Sequence, residues 1–251
     1  RTLFTLAFQN KSKSLFHDIA SHFIVTDFLF SSNLPPFDFA FLNPPYVEVK
    51  SDNRLKTAEA RNLYAYFLEK VITLSNGFIS ITPQTFTNGQ QFRTLRELLI
   101  TKMQDISIYC FDNVPDTIFR GIKFGSTNTN KSNSIRAAIT VAKSESTLNS
   151  FKITPLLRWR TTQREKMLES LDNYLTNVEV NADVFPKIQK ELLPLYYKVK
   201  KAKKCLVDII STHPTKYKLI VPTTPRYFIS ALKTEVNRSS FRTLYFYNKK
   251  D

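Results

Sequence analysis

Residues 38–46, Asp-Phe-Ala-Phe-Leu-Asn-Pro-Pro-Tyr, join a short apolar segment of strand length to a rigid turn. Consecutive prolines fix φ near −65°, donate no backbone N–H and bias the residue before them toward extended geometry. Asn43 and Tyr46 are therefore held with little freedom. The carbonyl oxygens of Asn43 and Pro44 are placed to accept both hydrogens of one exocyclic NH₂ group, and the ring of Tyr46 offers a stacking face. The stretch predicts a grip for a flat amine.

Around this stretch, apolar segments of strand length alternate with amphipathic segments of helix length, which is typical of a doubly wound α/β sheet. Ligands of such sheets bind at the carboxyl ends of the strands, where Asn43 to Tyr46 lies. The first two strands are predicted to lie in one parallel sheet, and Asn76-Gly77 is predicted to cap the first helix. The predicted strands are Phe23–Phe30, Phe37–Leu42, Phe78–Thr82, Ile106–Phe111 and Ile135–Ala142, and the predicted helices are Ala58–Leu74, with Leu63, Phe67, Val71 and Leu74 on its apolar face, and Gln90–Met103.

The charge of the chain is strongly positive and uneven. Thirty-six Lys and Arg against 21 Asp and Glu in 251 residues give a net charge of +15, a balance typical of a partner for a polyanion and unusual for a small-metabolite enzyme. Residues 1–150 carry a net +4 and residues 151–251 a net +11. The polar stretch 144–150 between them is predicted to be a linker or surface loop.

Cysteine and histidine contribute no metal-binding pattern. Cys110 and Cys205 are far apart without a CxxC, and the three histidines are scattered, so neither a zinc site nor a disulfide framework is predicted and no metal is expected. A reducing cytoplasm fits this usage. Apolar runs are too short for a membrane span. The first residue is Arg1, and the chain is expected to be a fragment or a processed piece.

The turn resembles the Asn-Pro-Pro-Tyr motif of S-adenosylmethionine-dependent amino-methyltransferases, above all the N6-adenine DNA methyltransferases of bacterial restriction-modification systems. This resemblance implies methyl transfer from S-adenosylmethionine to the N6 amino group of an adenine flipped out of double-stranded DNA, with Asn43, Pro44 and Tyr46 as the catalytic turn. It also implies that Asp27, in the segment Phe-Ile-Val-Thr-Asp-Phe-Leu, binds the amino group of the cofactor's adenine, alongside Asn43. Thr117-Ile118-Phe119 resembles the motif that supplies a second aromatic wall against the base, with Phe119 favoured over Phe124.

Two motifs of that family are missing. Its cofactor pocket begins with a glycine-bearing loop and a following acidic residue, whereas the four glycines here, at positions 77, 89, 121 and 125, all follow Asp27. The resemblance therefore implies a Rossmann-like S-adenosylmethionine-dependent methyltransferase sheet that is incomplete, with the missing motifs expected upstream of Arg1. Residues 1–148 are predicted to form the partial catalytic domain, and 149–251 the linker and the start of a target-recognition region.

The basic C-terminal region is predicted to contact DNA phosphates. The prediction rests on two clusters of basic residues. One surrounds the only tryptophan, and the other lies on a lysine-rich segment that is predicted to be a helix. A third segment, 218–231, resembles the opening of a target-recognition domain. The predicted DNA-binding residues are Arg158, Arg160, Lys200, Lys201 and Arg226. An endonuclease domain or subunit is a further expected partner in the parent system.

Two other functions remain open on the sequence. The Asn-Pro-Pro-Tyr turn also serves methyltransferases that modify a release-factor glutamine or guanine N2 in ribosomal RNA, although those enzymes usually lack a basic region after the last strand. The chain is alternatively a non-catalytic DNA-binding fragment, for which the missing glycine loop is the best support.

Overall fold

The structure is a computed structural model that describes residues 20–118, 135–145, 149–223 and 230–248. The chain forms two compact units, Arg1–Lys190 and Glu191–Asp251. The boundary predicted after residue 148 stays a prediction of where the recognition region begins, while in packing the first unit continues to Lys190. None of the described helices is long and apolar enough to cross a membrane.

The first unit is built on a six-stranded mixed sheet, which confirms the predicted α/β class. Its strands lie in the order β1-β2-β4-β3-β5-β6. β1, β2, β3 and β5 run in one direction, and β4 and β6 run against them. The strands are β1 (Phe37–Leu42), β2 (Ser75–Pro83), β3 (Asp105–Phe111), β4 (Ala137–Lys143), β5 (Ser150–Ile153) and β6 (Thr176–Asn177).

Three helices of the described residues connect these strands: α1 (Leu63–Leu74), α2 (Arg93–Lys102) and the short α3 (Arg164–Glu169). α1 begins at Asn62, whose side chain accepts a hydrogen bond from the Tyr64 N–H at 3.4 Å, as expected of an N-cap. α1 contacts both α2 and β2. The core-facing residues of α1 are Tyr64, Ala65, Tyr66, Leu68, Val71 and Ile72.

The first predicted helix differs from the observed one at both ends and in its buried face. Residues 58–60 form a separate 3-10 turn that ends at Arg61, whose φ of 47° is left-handed and breaks the helix. Asn76 and Gly77 do not cap α1, because the chain passes from Leu74 directly into β2 at Ser75. Of the predicted apolar face, Val71 is buried and the other three residues are half-buried. The other buried residues of α1 are two tyrosines, Ala65, Leu68 and Ile72.

The first predicted strand is not formed, so the prediction that it lies beside Phe37–Leu42 in a parallel sheet is wrong. Residues 23–30 form bends and turns rather than a strand, and Val25 is fully exposed. The sheet is not parallel throughout, because β4 is inserted antiparallel between β2 and β3. The hydrophobic pattern of a strand does not show whether the strand runs parallel or antiparallel to its neighbours. The pattern therefore predicted β4 but not its orientation.

Gly77 is required by close packing between strands. A Cβ atom at this position would lie 2.9 Å from ring carbons of Phe39 on β1 and 3.0 Å from the carbonyl oxygen of Ala142 on β4. Both distances are shorter than ordinary van der Waals contact. The absence of a side chain therefore lets the three strands meet.

The second unit contains α4 (Leu193–Lys200) and a three-stranded antiparallel sheet. Its strands are β7 (Ile210–Ser211), β8 (Lys218–Pro222) and β9 (Phe241–Phe246), with β9 in the centre. The helix predicted in the lysine-rich segment is present, but it ends at Lys200, so Lys201 lies just beyond it. The side chains of Leu195 and Val199 are exposed on α4.

Candidate functional site

Three parallel strands end at the same edge of the first sheet. β1 ends before Asn43, β2 ends before Gln84, and β3 ends before Asp112. Because β1, β2 and β3 share one direction, these residues all emerge from the carboxyl edge. β4 begins at this edge, immediately after Arg136. The sequence prediction that Asn43 to Tyr46 lies at a carboxyl edge is thereby confirmed.

The Asn-Pro-Pro-Tyr turn places its polar atoms outward on an apolar base. Pro44 is buried, Asn43 is exposed and Tyr46 is half-buried. The Tyr46 hydroxyl lies 2.8 Å from Oδ1 of Asn43 and 2.9 Å from the carbonyl oxygen of Ile81 on β2. A phenol carries one proton, so it donates to one of these oxygens at a time. The hydroxyl ties the turn to the neighbouring strand.

The chain that follows the turn is fixed to the start of α1. The Leu63 N–H donates to the carbonyl oxygen of Val47 at 3.0 Å, and the Val49 N–H donates to that of Arg61 at 2.9 Å. The Tyr46 ring meets the Tyr64 ring edge-on, with centroids 6.5 Å apart. Burial raises the pKa of Tyr46 to about 12, so its phenol is neutral at physiological pH.

A cavity of about 810 Å³, here called the site cavity, opens beside this turn. It lies within the first unit and joins side chains from the ends of several strands with one from the segment that follows β6. This volume is within the range of small-molecule sites and accommodates a nucleobase. Its polar lining residues include Tyr46, Glu48, Gln84, Asn113, Arg136 and Lys187.

Lys187 enters the site cavity from the segment that follows β6. Its ammonium donates to Oγ1 of Thr87 at 2.7 Å, and burial lowers its pKa. The backbone of this segment is held by the Phe185 N–H, which donates to the Thr87 carbonyl oxygen at 2.8 Å. Lys187 was not predicted from the sequence, since no local pattern marks a residue that returns from so far along the chain.

Arg96 on α2 secures the same segment from behind. It is 1% exposed, and its guanidinium donates to four backbone carbonyl oxygens at 2.6 to 2.9 Å. Two of these belong to Ala182 and Asp183, and two to Phe86 and Gly89. A planar five-donor group suits such a node, and it joins the loop after β2 to the segment that delivers Lys187.

Asp112 was also missed, although it directly follows a predicted strand and that position was a usable signal. Its side chain is 1% exposed and accepts hydrogen bonds from Nε of Arg136 at 2.8 Å and Nε of Arg158 at 2.6 Å. Burial alone would raise the pKa of Asp112, but the two guanidinium hydrogen bonds outweigh it and hold the pKa below its usual range. Arg158 was predicted to bind DNA, whereas its partners Asp112 and Arg136 were not predicted.

The remaining predicted residues are dispersed. Asp27 is exposed, and its Oδ1 accepts hydrogen bonds from the backbone N–H groups of Leu29 at 3.0 Å and Phe30 at 3.3 Å, which closes a turn rather than a strand end. Arg160 is exposed in the first unit, and Lys200 and Lys201 are exposed in the second. Phe119, its alternative Phe124, and Arg226 lie outside the described residues.

Trp159, between the two predicted arginines, serves the core. It is buried with Phe111, Ile118, Leu157 and Met167 at the end of β3. Its ring packs edge-on against Phe111, with centroids 5.2 Å apart. The tryptophan therefore anchors Arg158 close to Asp112, and the arginine side chain points away from the core with 66% of its surface exposed.

Comparison with known proteins identifies relatives of the N-terminal part. Residues 7–119 match the family model of the Eco57I restriction-modification methylase. The chain is 31% identical over 107 residues to the type II methyltransferase M.PstI of Providencia stuartii, an alignment that covers 38% of this chain and 21% of the relative. It is 35% identical over 86 residues to the type II methyltransferase M.BsuBI of Bacillus subtilis, covering 31% and 17%. The matched segments span about a fifth of either relative.

Solved structures give weaker likenesses. The type IIG restriction endonuclease BpuSI is similar over 74% of this chain and 24% of its own, with a TM-score of 0.41 and 14% identity. A class I S-adenosylmethionine-dependent methyltransferase from Listeria monocytogenes is similar over 58% of this chain and 45% of its own, with a TM-score of 0.40 and 15% identity. Residues 7–119, which contain the Asn-Pro-Pro-Tyr turn and make up less than half of the 251-residue chain, are thus similar to the Eco57I family of restriction-modification methylases.

Proposed function

We propose that this chain carries the catalytic turn and part of the recognition surface of an N6-adenine DNA methyltransferase. The observation that carries the proposal is the Asn43 to Tyr46 turn, set at the carboxyl edge of the sheet beside the site cavity, with Asn43 exposed above a buried Pro44. An exposed amide oxygen beside a backbone carbonyl suits the two hydrogens of an amino group.

The contacts of Tyr46 suggest how the Asn43 amide is oriented. The oxygen and nitrogen of an asparagine amide exchange places by rotation of the side chain, and the hydrogen-bond network decides between them. In the structure the Tyr46 hydroxyl lies 2.8 Å from Oδ1 of Asn43. We propose the rotated amide, in which the Asn43 NH₂ group donates to the Tyr46 oxygen while the Tyr46 hydroxyl donates to the Ile81 carbonyl oxygen. Oδ1 of Asn43 then faces the incoming amine. Accepting its N–H bonds directs the nitrogen lone pair away from the turn, so positioning supplies most of the catalysis.

Base flipping is part of the proposal. Chemistry on an amino group inside a duplex requires that the base leave the stack, which costs a few kcal/mol. Stacking on Tyr46 offsets about 1–3 kcal/mol of this cost. Phe119 is proposed as the second wall, by the resemblance alone. The site cavity is large enough to hold one extruded purine.

S-Adenosylmethionine is the cofactor that the proposal implies, and it supplies an electrophilic methyl group. Asp27 and Asn43 are the residues proposed to contact it. Asp27 fits an amino group, because only its Oδ1 is hydrogen-bonded to described residues. No described residue is proposed for the methionine end, since no glycine precedes Gly77 to let backbone approach a ligand closely.

DNA is the proposed substrate because the chain is strongly positive and because its relatives are restriction-modification methyltransferases. The curated relatives are type II methyltransferases, and the chain carries a net charge of +15. Arg158, Arg160, Lys200 and Lys201 are all exposed, as phosphate contact requires, and Arg226 is proposed on the sequence alone. An endonuclease domain or subunit in the parent system is proposed on the restriction-modification family.

The test is a calorimetric titration of the 251-residue chain with S-adenosylmethionine, with and without duplex DNA, followed by transfer of a labelled methyl group. DNA, ribosomal RNA and release factor are offered as substrates in parallel. We expect label in the N6 position of adenine in DNA, lost in Asn43→Ala and retained in Asn76→Ala, an exposed asparagine in β2 at the opposite edge of the sheet. Label in RNA or protein alone contradicts the proposal. DNA binding without cofactor binding assigns the chain as a non-catalytic DNA-binding fragment.

A further inference from the structure

Asp112 gathers two arginines at the rim of the site cavity. Its carboxylate is 1% exposed, and Oδ1 accepts hydrogen bonds from Arg136 Nε at 2.8 Å and the Asn113 N–H at 2.9 Å, while Oδ2 accepts from Arg158 Nε at 2.6 Å. The three side chains are brought together from the end of β3, the start of β4 and the segment after β5. This cluster is called the Asp112 clamp below.

Both arginines bind Asp112 through Nε and leave their terminal Nη groups unused by any described residue. Their side chains are 55% and 66% exposed, although the carboxylate between them is buried. A structural salt bridge commonly uses the paired donors of the guanidinium fork to hold the carboxylate. Here each guanidinium group holds the carboxylate through Nε alone, and more than half of each arginine side chain remains exposed.

The local charge favours an anion. The clamp contains two positive groups and one negative group, and Lys187 adds a positive charge in the adjoining cavity, against the carboxylate of Glu48. Two fixed guanidinium groups suit the tetrahedral oxygens of a phosphate, and arginine is preferred where such recognition is bidentate. The ligand chemistry indicated is a phosphate group beside a cavity of nucleobase size.

We propose that Arg136 and Arg158, oriented by Asp112, bind the backbone phosphate next to the nucleotide that enters the site cavity. This inference rests on the proposed function and deepens it. Arg136 lines the cavity itself, so a phosphate held by its Nη groups belongs to the extruded nucleotide or its immediate neighbour. Asp112 acts as a positioning residue, since it is buried and reaches the phosphate only through the arginines.

Two measurements distinguish phosphate binding by the Asp112 clamp from a purely structural role. One is the salt dependence of DNA affinity, and the other is the effect of removing the charge of a single phosphate. Each phosphate contact that is lost reduces the slope of log affinity against log salt by about one. A cluster that only fixes strand ends changes stability without changing this slope. A methylphosphonate linkage removes the charge of one chosen phosphate in the DNA. If the arginines contact that phosphate, the substitution lowers the affinity.

The experiment measures binding of the chain to a duplex that carries one unpaired adenine, by fluorescence anisotropy over a salt series. An unpaired base costs least to flip. We expect Arg136→Gln and Arg158→Gln each to weaken binding about tenfold at low salt and to reduce the slope by about one. Arg136→Lys is expected to restore the slope with part of the affinity, and Asp112→Asn to weaken binding without changing the slope.

A methylphosphonate next to the unpaired adenine is expected to weaken binding by the unchanged chain about tenfold and to have no further effect on the Arg136→Gln, Arg158→Gln double variant. Arg93→Gln is the matched control, because Arg93 is 59% exposed, pairs with Glu97 and Asp183, and does not line the cavity. Circular dichroism verifies that every variant is folded.

Unchanged affinity and slope in folded Arg136→Gln and Arg158→Gln overturn the clamp, even if methyl transfer to DNA is observed. If the arginine variants weaken DNA binding but no methyl transfer is detected, the phosphate-binding role of the Asp112 clamp is supported and the proposed methyltransferase activity is refuted. Inorganic phosphate and adenosine monophosphate serve as competitors. Competition by either at low concentration, with no effect of the methylphosphonate, assigns the arginines to a free phosphate ligand and overturns the proposal for DNA.

Discussion

The hydroxyl of Tyr46 lies 2.8 Å from Oδ1 of Asn43. The residue proposed to stack on the base thus also holds the residue proposed to bind its amino group. Ile81 on β2 completes this link, since its carbonyl oxygen lies 2.9 Å from the same hydroxyl. The order of residues in the tetrapeptide therefore has a structural reason, because the side chain of its fourth residue contacts the side chain of its first.

Tyr46→Phe separates the two roles of this tyrosine. The ring is retained for stacking, but the Asn43 amide loses the partner that orients it. We expect kcat for methyl transfer to fall about tenfold, which corresponds to about 1.4 kcal/mol in the barrier, and Tyr46→Ala to reduce it by a further tenfold or more. Single-turnover kinetics measure both. A Tyr46→Phe variant as fast as the unchanged chain would show that the hydroxyl has no positioning role.

Arg96→Met should destabilise the first unit strongly. Methionine fills much of the volume but leaves four carbonyl oxygens without their donors, and each unsatisfied buried group costs about 1–3 kcal/mol. We expect a loss of at least about 3 kcal/mol, measured by urea unfolding. Arg93→Met, on the same helix but with 59% of its side chain exposed, is the control and should lose less than about 1 kcal/mol. Equal losses in both would contradict the role given to Arg96.

Asp112 makes stability depend on acid pH. Its folded pKa lies below the ordinary value of 3.8, because hydrogen bonds from Arg158 and Arg136 outweigh the effect of burial. A carboxyl with a depressed folded pKa stabilises the protein above its unfolded pKa, and the contribution is lost as the pH falls through the folded pKa. Asp112→Asn should therefore be less stable than the unchanged chain at pH 7, and the difference should shrink below pH 3.8. Thermal unfolding at several pH values tests this, and a difference that is constant down to pH 2 would exclude it.

Gly77→Ala should destabilise the sheet. The added methyl group meets a backbone oxygen on β4 and the Phe39 ring on β1, and the backbone oxygen cannot move without disturbing a strand pair. Overpacking of this kind costs about 1–3 kcal/mol. Ser107→Ala, at a half-buried position of β3, is a control that adds no volume. Denaturant midpoints report the difference, and a stabilised Gly77→Ala variant would show that the strands separate to admit the methyl group.

The sequence predicted the elements that have a strong local pattern. β1 was predicted with its observed bounds, and β2, β3, β4 and α2 were predicted within a few residues of theirs. The segment 23–30 failed because its apolar residues satisfied the strand pattern, while Asp27 forms a local turn with its own backbone N–H groups. Local composition does not distinguish these outcomes.

The site was predictable only where its residues are adjacent in the chain. Asn43 to Tyr46 form a contiguous motif, and the prolines fix its geometry without help from distant residues. Lys187 and Arg136 reach the site through the return of the chain after β6 and the reversed β4. Those contacts depend on tertiary packing, because Arg136 and Lys187 lie 90 and 141 positions after Tyr46 in the chain. A hydrophobic pattern therefore locates the edge of the sheet but not the charges around it.

The position of β4 between β2 and β3 means that the sheet of the first unit cannot be completed before β4 has been synthesised. β2 and β3 both pair with β4, so each has an open edge on that side until residues 137–143 have been synthesised. A nascent chain that has emerged only as far as β3 presents two rows of unpaired backbone groups, which are templates for intermolecular pairing. Protein synthesis thus passes through an aggregation-prone interval, and chains terminated before residue 143 should accumulate in inclusion bodies.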